Sequence, residues 1–296
     1  MYPLLSLFCG LFSVVAFAQR PVALVVAGSA HLPRTEWSAP TSHRETRVRL
    51  AAGLVVLRAE LDGRSGNFLL DTGAPGLVLN GSPDGTEYVG GLMGDATAET
   101  VAVGHFRWQG IERTDLTALR VDLSRIERAL DLPLHGLVGY ELLQQQVVDL
   151  QLADGRLVLN PRERPRRRGL AMCTRAHLPI VRVRIDGRTY RFGIDSGASV
   201  NVLADQVYRE LDPTTYEARA ARYLCGVGAE RQRTPVILLD QLKIGKQQAA
   251  KLALSVASLA HFEADYGVRL DGILGQPWLQ QHRVVLDYPR GRLYVE

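Results

Sequence analysis

Phe68-Leu69-Leu70-Asp71-Thr72-Gly73-Ala74 and Phe192-Gly193-Ile194-Asp195-Ser196-Gly197-Ala198 are one pattern met twice, 124 residues apart. Each is an apolar run that ends in an acidic residue, a small hydroxyl residue, a glycine and an alanine. The likeness extends outward. Leu54–Leu79 laid over Leu178–Leu203 matches at eleven of 26 positions, and Leu134–Leu159 laid over Leu270–Val295 again at eleven of 26. Unrelated windows of this length share about one or two residues, so the chain holds an internal repeat. The offset grows from 124 to 136, which places twelve additional residues in the second copy, between its matched blocks.

The repeat sets the organisation. Copy one is expected over 47–160 and copy two over 170–296. An Arg-rich linker, 161–169, joins them, and an extension, 19–46, precedes them. Both copies read as β. Leu54–Leu61, an Asp62-Gly63 turn and Asn67–Leu70 form a hairpin pattern, repeated by Ile180–Ile185, Asp186-Gly187 and Tyr190–Ile194. One short helix is expected after each Gly-apolar-apolar-Gly, at Tyr140–Gln146 and at Pro277–His282. A last strand follows in each copy, Arg156–Leu159 and Arg292–Val295. In the extension, Val22–Val26 reads as a strand and Pro33–His43 as loop.

Composition agrees with a folded, exported chain. Of 296 residues, 46% are hydrophobic and 22% charged, while Gly and Pro are too few for a low-complexity or collagen-like chain. The net charge of +4 is carried almost wholly by Arg. Its one dense run, Arg162 to Arg168, reads as a solvated linker; the other reading is an anion-binding patch. No nucleic-acid partner is expected. Residues 1–18 read as a secretory signal, with apolar Leu4–Phe17 and a small-x-small cleavage site at Ala16-Phe17-Ala18. Export to the periplasm or beyond is expected, with no stable membrane span after its removal. Loss of the signal removes Cys9. Cys173 and Cys225 could then pair in a disulfide or remain separate thiols. The seven His are scattered, so no metal is expected. Trp37, Trp108 and Trp278 read as packing residues.

Asp71 and Asp195 carry the chemistry. A carboxylate at the end of a buried strand sits in a low-dielectric place. Two of them brought together across a pseudo-two-fold axis cannot both ionise, so they share a proton. The ionised one can act as a base on a water, and the protonated one can polarise a carbonyl. Thr72 and Ser196 can lock the two loops together, and Gly73 and Gly197 allow their tight turn and close approach.

With Gly136-Leu137-Val138-Gly139 and Gly272-Ile273-Leu274-Gly275 as the second motif of each copy, the chain resembles the retropepsin-like aspartic proteases, in particular bacterial exported members with two tandem copies. The resemblance implies an all-β protein of duplicated acid-protease half-barrels, related by a pseudo-two-fold axis, with a central cleft. It implies an aspartic endopeptidase acting on polypeptides without a cofactor, with Asp71 and Asp195 as the catalytic pair. It also implies flap hairpins, matched here by Gly90, Gly91 and Gly94 in copy one and by Gly226 and Gly228 in copy two. Pro75, after Ala74, removes an N–H that Ser199 keeps in copy two. Ala74 and Ala198 place no hydroxyl beside the carboxyls, which points to a mildly acidic working pH. A monomer is favoured, since one chain holds both motifs, though two chains could also pair. The alternative function is an inactive acid-protease fold serving as a periplasmic peptide-binding or scaffold protein. A third is an anion binder acting through the Arg run.

Overall fold

Asp62-Gly63 and Asp186-Gly187 both adopt positive φ, 47° and 78° in one copy and 45° and 74° in the other. This is the left-handed pair that a two-residue hairpin requires. The flanking strands alternate as a half-buried hairpin must: in Ile180–Ile185 the two Arg face solvent between buried Val and Ile. The computed structural model describes residues 26–27, 42–85, 87–91, 94–163, 165, 168–174, 177–224, 226 and 232–296. The expected signal, Cys9, Trp37, most of the expected loop Pro33–His43, and Arg164, Arg166 and Arg167 of the basic run lie outside the described residues. Arg162 and Arg168 are described and exposed.

The chain begins with β1 (Val26–Ala27) and β2 (Arg44–Arg47). Copy one follows as β3 (Arg49–Ala51), β4 (Leu54–Leu61), β5 (Arg64–Leu70), β6 (Leu77–Asn80), β7 (Glu87–Gly91), β8 (Gly94–Trp108), β9 (Ile111–Val121), α1 (Ser124–Leu130), β10 (Gly136–Val138), α2 (Tyr140–Leu143), β11 (Val147–Gln151) and β12 (Arg156–Leu159). Copy two is β13 (Leu170–Ala171), β14 (Ile180–Ile185), β15 (Arg188–Ile194), β16 (Asn201–Ala204), α3 (Asp205–Glu210), β17 (Tyr216–Leu224), β18 (Gln232–Ile244), β19 (Gln247–Ala257), α4 (Ala260–Tyr266), β20 (Gly272–Leu274), α5 (Gln276–Leu279), β21 (Val284–Asp287) and β22 (Arg292–Val295).

The fold is all-β and duplicated. In copy one the sheet runs β4-β5-β10-β6-β9-β8, and the pairing of β8 back onto β4 closes it into a ring. In copy two β14-β15-β20-β16-β19-β18 does the same, closed by Arg184 opposite Lys243. Each ring surrounds packed apolar side chains, with Trp108 and Trp278 both buried. A third sheet, β13-β22-β21-β11-β12-β2, takes strands from both copies. Its central pair, β11 with β21, joins the halves from Val147 opposite Asp287 to Leu150 opposite Val284.

Some elements differ from expectation. The two motif helices are single turns, Tyr140–Leu143 and Gln276–Leu279. Helices α1, α3 and α4 were not expected. The twelve extra residues of copy two fall between β16 and β19, where α3 and a longer hairpin stand in for a plain loop. No helix among the described residues is long and apolar enough to cross a membrane.

Candidate active site

Strands β5 and β15 lead directly into Asp71 and Asp195. Each runs parallel to the second-motif strand of its own copy, β10 or β20. That neighbour accepts the aspartate's backbone N–H: Asp71 donates to Val138 O and Asp195 to Leu274 O, each at 3.0 Å. The glycine after each second motif is required by close approach. A Cβ on Gly139 would lie 2.5 Å from Ala74 O, and one on Gly275 would lie 2.3 Å from Val200 O. Backbone packing therefore explains why the two motifs occur together in each copy.

The two aspartate loops interlock. The Thr72 hydroxyl accepts from Ser196 N–H (2.9 Å) and donates to Ile194 O (2.8 Å). The Ser196 hydroxyl accepts from Thr72 N–H (3.0 Å) and donates to Leu70 O (2.8 Å). Four buried backbone groups are thus satisfied across the interface by two hydroxyls. Each carboxyl packs over the other copy's glycine. A Cβ on Gly197 would lie 2.5 Å from Asp71 Cγ, and one on Gly73 would lie 3.1 Å from Asp195 Cγ.

Asp71, Thr72, Asp195 and Ser196 are all fully buried. Asp71 Oδ1 accepts from Gly73 N–H (2.8 Å) and Ala74 N–H (3.1 Å), and Asp195 Oδ1 accepts from Gly197 N–H (2.7 Å). Neither Oδ2 atom has a hydrogen-bond partner among the described residues. Burial pushes the Asp71 carboxyl up to about 7, against the opposing pull of its loop N–H groups. Asp195 is raised well above the usual carboxylate range, first by burial and then by the Asp71 charge. Both carboxyls are thus pushed toward the protonated form, and they titrate as a pair.

The surroundings are not symmetric. In copy two, Gln276 is buried and its Nε2 donates to Ser196 O at 2.7 Å. Gln280 Nε2 reaches Gln276 Oε1 and Gly53 O of copy one. At the matching place in copy one, Tyr140 stacks on His177 and meets Tyr288 edge-on, with ring centroids 5.3 and 5.7 Å away. The Tyr288 hydroxyl is buried with no hydrogen-bond partner among the described residues. Burial raises it well above 10, and the charges of Tyr140, Asp71 and Asp195 add to the shift. Pro75 O accepts from Glu141 N–H, and Glu141 forms a largely buried ion pair with Arg113 at 3.1 Å. Burial raises the Glu141 carboxyl in spite of that arginine. None of Gln276, Tyr288, Glu141 or Arg113 was singled out in the sequence.

Gly90, Gly91 and Gly94 lie at the end of the β7–β8 hairpin, apart from the aspartates in sequence and sheet position. Gly226 is buried; Gly228 and Cys225 lie outside the described residues. Cys173 is exposed, pairs with no cysteine among the described residues, and is bridged by backbone to Ile180 at the start of copy two. Among the described residues no cluster of His, Cys, Asp and Glu is arranged to hold a metal ion.

Residues 181–278 match a protein-family model described as aspartyl protease. The matched stretch includes Asp195-Ser196-Gly197 and Gly272–Gly275, and supports a protease-type function. No curated protein matches the chain.

Proposed function

We propose that the chain is an aspartic endopeptidase whose one active site is formed by Asp71 and Asp195. The observation that carries this reading is the pair of fully buried carboxyls, each packed against the other copy's glycine, whose Oδ2 atoms have no hydrogen-bond partner among the described residues. In the singly protonated pair, the carboxylate takes a proton from a water as its oxygen attacks the peptide carbonyl carbon. The carboxylic acid gives its proton to the carbonyl oxygen. Collapse of the gem-diol breaks the C–N bond, with a proton delivered to the leaving nitrogen. One water is consumed, and an acid and an amine are released. Water supplies every atom the route needs. The loop N–H groups on each Oδ1 hold the carboxyls in place, so little reorganisation accompanies the charge movement.

The organisation that goes with this reading is two tandem copies, 47–160 and 170–296, in an exported chain whose first 18 residues are removed. One chain supplies both carboxyls, so the active form is a monomer. The Gly-rich hairpin β7–β8 serves as the flap of copy one. The test is to incubate the chain with a mixed peptide library from pH 3 to 8, beside Asp71→Asn and Asp195→Asn. Cleavage lost in both variants supports the shared pair. Loss in only one would favour pairing between two chains. No cleavage by folded protein at any pH would favour the non-catalytic peptide-binding reading.

A further inference from the structure

The first strand of the chain has an unexpected partner. Val26–Ala27 runs antiparallel to β7, with Val26 opposite Gly91 and Ala27 opposite Gly90. These are the last two residues of β7 before the hairpin tip, two of the glycines read as flap residues. We propose that the outer edge of β7 is a strand-addition site for extended peptide, and that the chain's own Val26–Ala27 fills it in cis. The inference rests on the peptidase reading only in taking β7–β8 as the flap of the cleft.

Three observations support it. An edge strand presents a row of unpaired N–H and C=O groups and accepts another strand by backbone bonds alone. Gly90 and Gly91, at both paired positions, put no side chain on either face of the sheet beside the added strand, so the pairing is through backbone alone. Copy two provides an internal comparison. Its matching strand, β17, is the last strand of its sheet, and its outer edge has no partner among the described residues. The fold therefore does not need this edge covered. In copy one it is covered by a segment from outside both repeats, separated from β2 by sixteen residues. Because strand and edge belong to one chain, their pairing is intramolecular, with an effective concentration on the order of millimolar. That is enough to occupy an edge whose affinity for a free short peptide is weak. Any other extended peptide reaching β7 must displace it.

The test uses the full chain carrying Val26→Pro and Ala27→Pro. Two prolines remove both N–H groups from β1 and touch neither repeat. Amide exchange over 88–91 is expected to rise about tenfold in this variant. A labelled peptide with the sequence of residues 20–30 is then added, with Asp71→Asn present so that nothing is cleaved. It is expected to bind the proline variant at least about tenfold more tightly than the chain with its own strand intact. With Asp71 restored, kcat/KM on the peptide library should rise about 3- to 10-fold in the proline variant. Unchanged exchange over 88–91, or equal peptide binding by the two chains, overturns the proposal. Cleavage by neither chain, with exchange and binding as expected, overturns the peptidase reading and leaves the strand-addition site standing.

Discussion

The Asp71 and Asp195 side chains are held in a place that disfavours their charge, and the sign of that effect can be tested. Their folded pKa values are raised, Asp71 to about 7. The unfolded chain releases these protons near pH 4, whereas the folded chain holds both to higher pH, the Asp71 proton to about 7. Stability contributed by the pair is therefore complete below pH 4 and is lost as pH rises toward 7. Asp195→Asn should raise the Tm by about 2–6 °C at pH 7 and by almost nothing at pH 4, while abolishing cleavage. Scanning calorimetry at the two pH values reads this directly; an equal shift at both would remove the argument. Cleavage by the wild type should fall off at both ends of the range and peak at mildly acidic to neutral pH. The glycines make a second residue-scale prediction. Gly197→Ala places a Cβ 2.5 Å from Asp71 Cγ, whereas Gly73→Ala places one 3.1 Å from Asp195 Cγ. The first should lower kcat about 100-fold or more and the second distinctly less. The reverse order would contradict the packing described.

At the scale of elements, two loops are locked by two hydroxyls. Thr72→Ala strands Ser196 N–H and Ile194 O, and Ser196→Ala strands Thr72 N–H and Leu70 O. Each should cost about 2–4 kcal/mol in urea unfolding. Thr72→Ser and Ser196→Thr, which keep the hydroxyl, should recover most of it. Failure of the conservative changes to rescue would mean that the methyl groups, not the hydroxyls, matter. This scale also separates what the sequence reveals from what it hides. The aspartate motifs, the Gly-x-x-Gly motifs and the Asp-Gly hairpins are dictated by local backbone geometry, so short patterns expose them. Helix α1 has Ile126 and Leu130 buried on one face of a single seven-residue stretch, too short for its period to stand out in a β-rich chain. Gln276 and Tyr288 take their roles from partners far along the chain. The Gln276–Ser196 bond spans 80 residues, and Tyr288 meets Tyr140 of the other copy. No spacing in a linear sequence announces such contacts.

The whole molecule depends on the sheet shared by its halves. Asp149 of β11 is buried, and Arg283, next to β21, donates to it through Nε and Nη2, the latter at 2.8 Å. Arg283 also reaches Glu296 at 2.8 Å. Arg283→Met leaves a buried carboxylate without its cation, with only Gln151 Nε2 still donating to it at 3.0 Å; because the arginine is partly exposed, the expected cost is about 1–3 kcal/mol. Asp149→Asn in the same chain should return part of it, since an amide tolerates the site without a cation. Both halves should unfold together in one transition, because neither keeps its central sheet pair alone. Two separate transitions would show that β11 and β21 contribute little.

Pro75 gives the molecule a sense of direction. A peptide backbone runs from amine to carboxyl, and two equal half-sites facing each other would accept it either way round. Here one half ends its aspartate loop in a residue with no N–H to offer, while the other has Ser199 at that place. The two aspartate loops therefore differ by one backbone N–H. Under the peptidase reading proposed above, the two ways of threading a peptide past these loops are not equivalent. Duplication within a single chain makes this possible, because a symmetric pair of identical chains would carry every such change on both sides at once.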